Sequence, residues 1–194
     1  MSFLRLATAV VPARRALLAG AGRATLSAGA VLMLAGSGAA LLPRGATAAT
    51  KEDDIRILNT AIAAEHEAVA AYGVGAKSGL LRKPALALAV QFQGHHKAHI
   101  DALAKAVRQL GGAPADAKAK YEFPVAKLKK EADVLRFAAQ LEKGAVSAYL
   151  GAVPLFLDRN LAKAAASILG DEAMHWAVLR QVLGENPVPA AFVE

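Results

Sequence analysis

The sequence predicts an all-α protein: an antiparallel four-helix bundle built as two helical hairpins joined by a long crossover. Three observations carry this. Beyond residue 50, apolar residues recur at spacings of three and four, with no convincing strand pattern. The connections between helical stretches run short, long, short. The segment EHEAVAAY, Glu65 to Tyr72, is echoed by EKGAVSAY, Glu142 to Tyr149, so the second half of the chain repeats the first.

The first helix is expected over about 53–76, with a stripe of Ile55, Leu58, Ile62, Glu65, Val69, Tyr72 and Ala76. KSGLLRKP then turns the chain, and Pro84 suits the first turn of a second helix over about 84–110. Its stripe is Leu88, Phe92, His96, His99, Leu103, Ala106 and Leu110, stopped by Gly111 and Gly112. Nearly twenty residues of crossover follow. The third helix, about 130–152, presents Leu135, Ala138, Glu142, Val146 and Tyr149 and ends near Pro154. Asp158 or Asn160 can cap the fourth, which runs to Leu183 with Leu161, Ala165, Ile168, Glu172, His175, Leu179 and Val182 on one face.

Charge and composition narrow the function classes. The net charge of +7 is carried mostly by a leader: residues 1–49 hold five arginines and no acid, leaving 18 basic and 16 acidic residues and a net +2 for the body. A nearly balanced body gives no reason to propose a nucleic-acid partner. There is no cysteine, which excludes disulfides, thiolate metal sites and cysteine nucleophiles. The leader reads as an export signal: a basic stretch with the Arg14–Arg15 pair, an uncharged Ala24–Leu42 segment, then GATAAT with cleavage sites after Ala48 or Ala49. It is twin-arginine-like, and it places the mature body, 50–194, in the periplasm or outside the cell. An uncleaved membrane anchor is the alternative.

The seam residues carry the chemistry. A bundle seam should be apolar, yet each helix interrupts it: Glu65 on the first, His96 and His99 on the second, Glu142 on the third, Glu172 and His175 on the fourth. An unpaired buried carboxylate costs several kcal/mol. Three carboxylates and three imidazoles converging from four helices therefore need mutual compensation, which one or two divalent metal ions provide. Glu172 and His175, like His96 and His99, are an i, i+3 pair on one helix face. The repeat spacing agrees: 34 residues from Glu65 to His99, 33 from Glu142 to His175. Tyr72 and Tyr149 are expected to pack in the seam with hydrogen-bonded hydroxyls. His95, beside the stripe, and His66, off it, are expected exposed or supporting, although His95 replaces His96 if the helix is rotated. Glu67 and Asp171 are expected on solvated or inter-helix faces, and Trp176 in packing.

These residues resemble the ferritin-like superfamily, in particular exported bacterial ferritin-like proteins related to rubrerythrin and bacterioferritin. The resemblance spans about 53–183. It implies a di-iron site in which the first and third helices each give a Glu and the second and fourth each give Glu-x-x-His. Carried over, Glu65 and Glu142 match the single carboxylates, and Glu172 and His175 match the fourth-helix motif. On the second helix His99 matches the histidine, but His96 stands where the family has a carboxylate; in a register shifted by three, Gln93 and His96 fill the motif instead. Fewer negative charges stabilise ferric ions less, so a single-metal, mixed-metal or altered site enters beside the di-iron one.

The resulting expectation is an exported metal-binding protein using a divalent metal, iron first, with manganese and zinc as alternatives. Ferrous oxidation or peroxide consumption connected with oxidative stress would be its chemistry. The competing reading is a non-enzymatic stress-related or binding module with a degenerate, metal-free core. Metal ions are the expected partners, a membrane only if the leader is retained, and a homo-oligomer stays among the alternatives.

Overall fold

The computed structural model describes residues 49–193. The predicted leader therefore lies outside the described residues, save for Ala49. Four helices follow, α1 (Lys51–Lys77), α2 (Lys83–Gln109), α3 (Glu131–Ala152) and α4 (Arg159–Val182), with no strand among the described residues. The predicted boundaries agree to within two residues. α1 pairs with α2 and α3 with α4, and the two hairpins meet through α1 against α3 and α2 against α4.

Local signals set the helix ends. Thr50 and Asp53 form a reciprocal capping box on α1. Pro84 sits in the first turn of α2, where its missing N–H costs nothing. Gly111 ends α2 with φ 81°, a conformation that strains any residue carrying a Cβ. Asp158 caps α4 through the Asn160 N–H.

Two clamps hold the connections. Asn59 pins the crossover to α1: its Nδ2 donates to the Ala113 carbonyl at 3.0 Å, and its Oδ1 accepts from the Ala115 N–H at 2.8 Å. Asp54, buried at 2 % exposure, accepts the N–H groups of Leu157 and Asp158 at 2.8 and 3.0 Å, tying the α3–α4 turn to the start of α1. Each clamp satisfies backbone groups that would otherwise cost about 1–3 kcal/mol apiece when buried.

The apolar core divides in two along the bundle axis. One cluster holds Leu58, Ile62, Leu103, Val107, Tyr149, Phe156 and Ile168; the other holds Tyr72, Ala89, Phe92, Leu135 and Leu179. On every helix the ionisable seam residues fall between the positions given to these two clusters. A polar layer is thus sealed at both ends by hydrocarbon.

Two details differ from the sequence expectation. On α2 the deep positions are Ala85, Ala89 and Val107, while Leu88, Ala106 and Leu110 are half-buried. Alanines let α2 approach its neighbours closely, so toward the helix start the contact line runs over Ala85 and Ala89 rather than Leu88, while Phe92 and Leu103 stay in the core. On α1 Glu67 is buried and Val69 half-buried. Burial raises the Glu67 pKa, opposed by the charge of Lys118 on the crossover, which places that connection near this face.

Candidate metal centre

All six seam residues expected to bind metal meet in the polar layer. Glu65, His96, Glu142, Glu172 and His175 are each at most 3 % exposed, and the His99 side chain is 12 % exposed. Their donor atoms form two overlapping groups of metal-binding size: Glu65, His96, His99 and Glu172, then His96, Glu142, Glu172 and His175. Glu172 and His96 belong to both, so the groups are adjacent halves of one centre.

The second-helix register is settled by this geometry. His96 lies between the two single carboxylates, its Nδ1 2.8 Å from Glu65 Oε2 and its Nε2 3.4 Å from Glu142 Oε1. His99 Nδ1 lies 3.4 Å from Glu65 Oε2 and 3.2 Å from Glu172 Oε1. His175 Nδ1 faces Glu142 at 3.5 Å and Glu172 at 3.7 Å. Gln93 instead donates to the Val69 carbonyl at 2.9 Å, outside the cluster. The shifted register is therefore not the one adopted.

The two repeat tyrosines cross over. Tyr72 donates its hydroxyl to Glu142 Oε1, and Tyr149 donates to Glu65 Oε1 at 2.6 Å. Each hairpin thereby orients the single carboxylate of the other, which explains the Glu-to-Tyr spacing shared by the repeats.

Many donor atoms have no hydrogen-bond partner within the protein: His96 Nε2, His99 Nδ1, His175 Nδ1, Glu142 Oε2 and both oxygens of Glu172. Glu172 is fully buried. Its oxygens meet imidazole nitrogens outside hydrogen-bond geometry, His99 and His96 at 3.2 and 3.5 Å from Oε1 and His175 at 3.7 Å from Oε2, so its charge is offset either by protonated rings or by a bound cation. Its oxygens and the open imidazole nitrogens suit a borderline divalent ion.

The sequence of the ferritin-like domain family matches residues 53–185. The chain belongs to the ferritin-like domain family. Its fold is also similar to three solved ferritin-like or uncharacterised proteins. A conserved hypothetical protein from Mycobacterium tuberculosis is 24 % identical, with 74 % of this chain and 99 % of that chain covered at TM-score 0.63. A dodecameric thioferritin, the bacterioferritin-related protein from Bacteroides fragilis, is 21 % identical over 79 % of this chain and 91 % of that chain, at TM-score 0.60. A ferritin-like, diiron-carboxylate protein from Bacillus anthracis is 20 % identical over 69 % of this chain and 96 % of that chain, at TM-score 0.59. No curated protein matches significantly.

The metal-free ferritin-like centre is held by protons. Burial opposes charge on His96, but Glu142 and Glu65 outweigh it and push its pKa up to about 11. Burial likewise opposes His99, which Glu172 and Glu65 raise to about 9, and His175, which Glu142 and Glu172 raise to about 9. Burial would raise Glu142 and Glu65, yet His175 and His96 hold Glu142 well below the carboxylate range, and His96 and His99 hold Glu65 below it. Glu172 goes the other way: burial, with Glu142 beside it, raises it to about 7. Burial and the neighbouring carboxylates push Tyr72 and Tyr149 far above their usual range, so both hydroxyls stay protonated donors.

Asp171 and His95 are more involved than the sequence suggested. Asp171 Oδ2 lies 3.2 Å from His99 Nε2 and 3.2 Å from His175 Nε2, on the side of each ring opposite the centre. A carboxylate there fixes ring orientation and tautomer. The available signal was its placement four residues before His175, on the same helix face. His66 joins none of the metal-sized groups among the described residues.

Proposed function

We propose that this is an exported ferritin-like protein that binds a pair of divalent metal ions, iron first and manganese or zinc as alternatives, for redox chemistry in oxidative stress. The observation that carries the reading is the fully buried Glu172 with no hydrogen bond to either oxygen, facing the Nδ1 atoms of His99 and His175 at 3.2 and 3.7 Å. Glu65, His99 and one Glu172 oxygen would hold one ion; Glu142, His175 and the other Glu172 oxygen the second, with His96 serving either. A bound iron pair supplies Lewis acidity and one-electron steps. The chain's part is to orient the carboxylates through Tyr72 and Tyr149, to exclude water with the two apolar clusters, and to release the ligand protons that ion binding displaces. Ferrous oxidation or peroxide consumption is the activity this arrangement serves.

A non-catalytic reading is favoured by one feature. With His96 in place of a carboxylate, three acids face two divalent cations, and the loaded centre keeps a net positive charge that disfavours the ferric state. The core would then be a metal-stabilised or hydrogen-bonded structural layer. Export rests on the basic, apolar and small-residue leader. The dodecameric Bacteroides protein motivates testing a homo-oligomer.

Metal analysis of protein purified without added metal, followed by ferrous-oxidation and peroxide assays, tests the proposal. About two iron or manganese per chain, lost in Glu172→Ala/His175→Ala, supports it. An apo protein whose stability is indifferent to those substitutions and to added metal rejects it. N-terminal sequencing of the exported protein tests cleavage after Ala48 or Ala49.

A further inference from the structure

Beside the buried centre, His95 Nδ1, His175 Nε2 and Asp171 Oδ2 form a small triangle of donor atoms. The edges are 2.9 Å between the two nitrogens, 3.1 Å from His95 to Asp171, and 3.2 Å from His175 to Asp171. Hydrogen bonding accounts for at most two of the three edges at once. An ionised carboxylate only accepts, so both nitrogens must carry protons to bond Asp171; two N–H groups then oppose each other across the 2.9 Å edge. If either nitrogen is bare, its lone pair faces the carboxylate oxygen. Every assignment of ring protons leaves one edge repulsive.

Three lone pairs directed at one cation remove the conflict. At metal–ligand distances of about 2.1 Å, ligand atoms at right angles lie about 3.0 Å apart, whereas tetrahedral ligands lie about 3.4 Å apart. The observed edges match the right-angled set, a face of two histidines and one carboxylate of the kind that binds ferrous iron with open positions. The triangle also opens outward: the His95 side chain is 39 % exposed and Asp171 22 %, while His175 is 2 % exposed and reaches the buried centre through its other nitrogen.

We infer that His95, Asp171 and His175 form a third, solvent-facing site for a divalent cation of the iron(II) class, which loads the buried centre. The site stands on its own geometry; the loading role rests on the metal-binding reading of the inner six residues. His175 connects the two. A neutral imidazole offers one lone pair, so an ion on Nε2 requires the ring proton on Nδ1, and an ion on Nδ1 requires it on Nε2. The outer and inner positions therefore compete for His175. Inward transfer takes the proton off Nδ1, where Glu142 at 3.5 Å receives it, while Nε2 takes one from solvent on the open side and donates it to Asp171.

Cobalt(II) tests this, because its visible absorbance reports both stoichiometry and coordination. In stopped-flow mixing, the wild-type chain should show a fast phase followed by slower filling of the inner pair. His95→Ala and Asp171→Asn should each lose the fast phase and slow inner filling at least tenfold, while His95→Ala reaches the same final inner stoichiometry. Glu65→Gln/Glu142→Gln should keep one cobalt per chain, lost on adding His95→Ala. Unchanged filling kinetics in His95→Ala, or no cobalt in Glu65→Gln/Glu142→Gln while wild type binds two, overturns the outer site. Wild type binding one cobalt that His95→Ala removes keeps the outer site and rejects the inner pair and the loading role.

Discussion

Loading the buried centre should release about three protons at pH 7, which makes metal affinity steeply pH-dependent. Without metal, His96 is held at about 11 and His99 and His175 at about 9, so all three are imidazolium at neutral pH. Glu172, near 7, is about half protonated. Coordination needs a bare nitrogen on each ring and an ionised Glu172, so about three to four protons leave. The constant for filling the centre should then rise on the order of a thousandfold per pH unit just above pH 7, slow to about tenfold per unit between pH 9 and 11, and flatten beyond 11. Calorimetric titration with zinc(II) or cobalt(II) in buffers of different ionisation enthalpy gives the proton count directly from the slope of heat against buffer enthalpy. A count below one would refute the assignment of these imidazoles as the groups the metal displaces.

The metal-free protein should be most stable on the acid side of neutrality. Its raised imidazoles contribute fully below pH 6.5 and lose that contribution as pH climbs through 9 and 11, and Glu172 acts in the same sense between 4.5 and 7. Glu65 and Glu142, held low, lose their contribution as pH falls below 4.5. Melting curves with chelator from pH 5.5 to 9.5 should therefore decline, and a rise would contradict the protonated centre. Tyr149→Phe leaves Glu65 Oε1 without its donor; the expected loss is about 1–3 kcal/mol in the apo form and about 10–100-fold in metal affinity, read by denaturant melts and competitive titration. Asp54→Ala strips the Leu157 and Asp158 N–H groups of their acceptor and should cost about 2–4 kcal/mol, lowering Tm by several degrees without changing metal stoichiometry.

The bundle and the inner six residues were legible in the sequence for one physical reason. Glu65, His96, His99, Glu142, Glu172 and His175 interrupt apolar stripes at helical spacing, and such interruptions cannot be neutral in a core. What escaped depends on how helices meet. On α2 the middle of the stripe, Phe92, His96 and Leu103, is buried as expected, but toward the ends the packing face passes to Ala85, Ala89 and Val107, and alanine occurs all round that helix, so Leu88 and Leu110 misplaced the ends. Asp54 and Asn59 bond to backbone 103 and 54 residues away, or further, and no local pattern encodes such clamps. Asp171 reads no further than a solvated or inter-helix residue because its partners come from α2 as well as its own helix, and only the α2–α4 approach brings His95 and His99 within 3.2 Å of it.

His96 decides what the centre can do, and a single substitution isolates its effect. In the apo protein its imidazolium bridges Glu65 and Glu142, which would otherwise repel across a sealed layer. His96→Glu removes one positive charge and adds one negative in that position. The metal-free form should lose about 3–5 kcal/mol, as when a buried ion pair is broken, and show its melting temperature rise again at low pH. The loaded form should gain, because four carboxylates neutralise two divalent cations and favour further oxidation. Iron bound to His96→Glu should accordingly oxidise in air faster than in wild type, followed by absorbance at constant iron per chain. If wild type and variant oxidise iron equally, the missing carboxylate does not limit redox turnover, and the histidine serves apo stability alone.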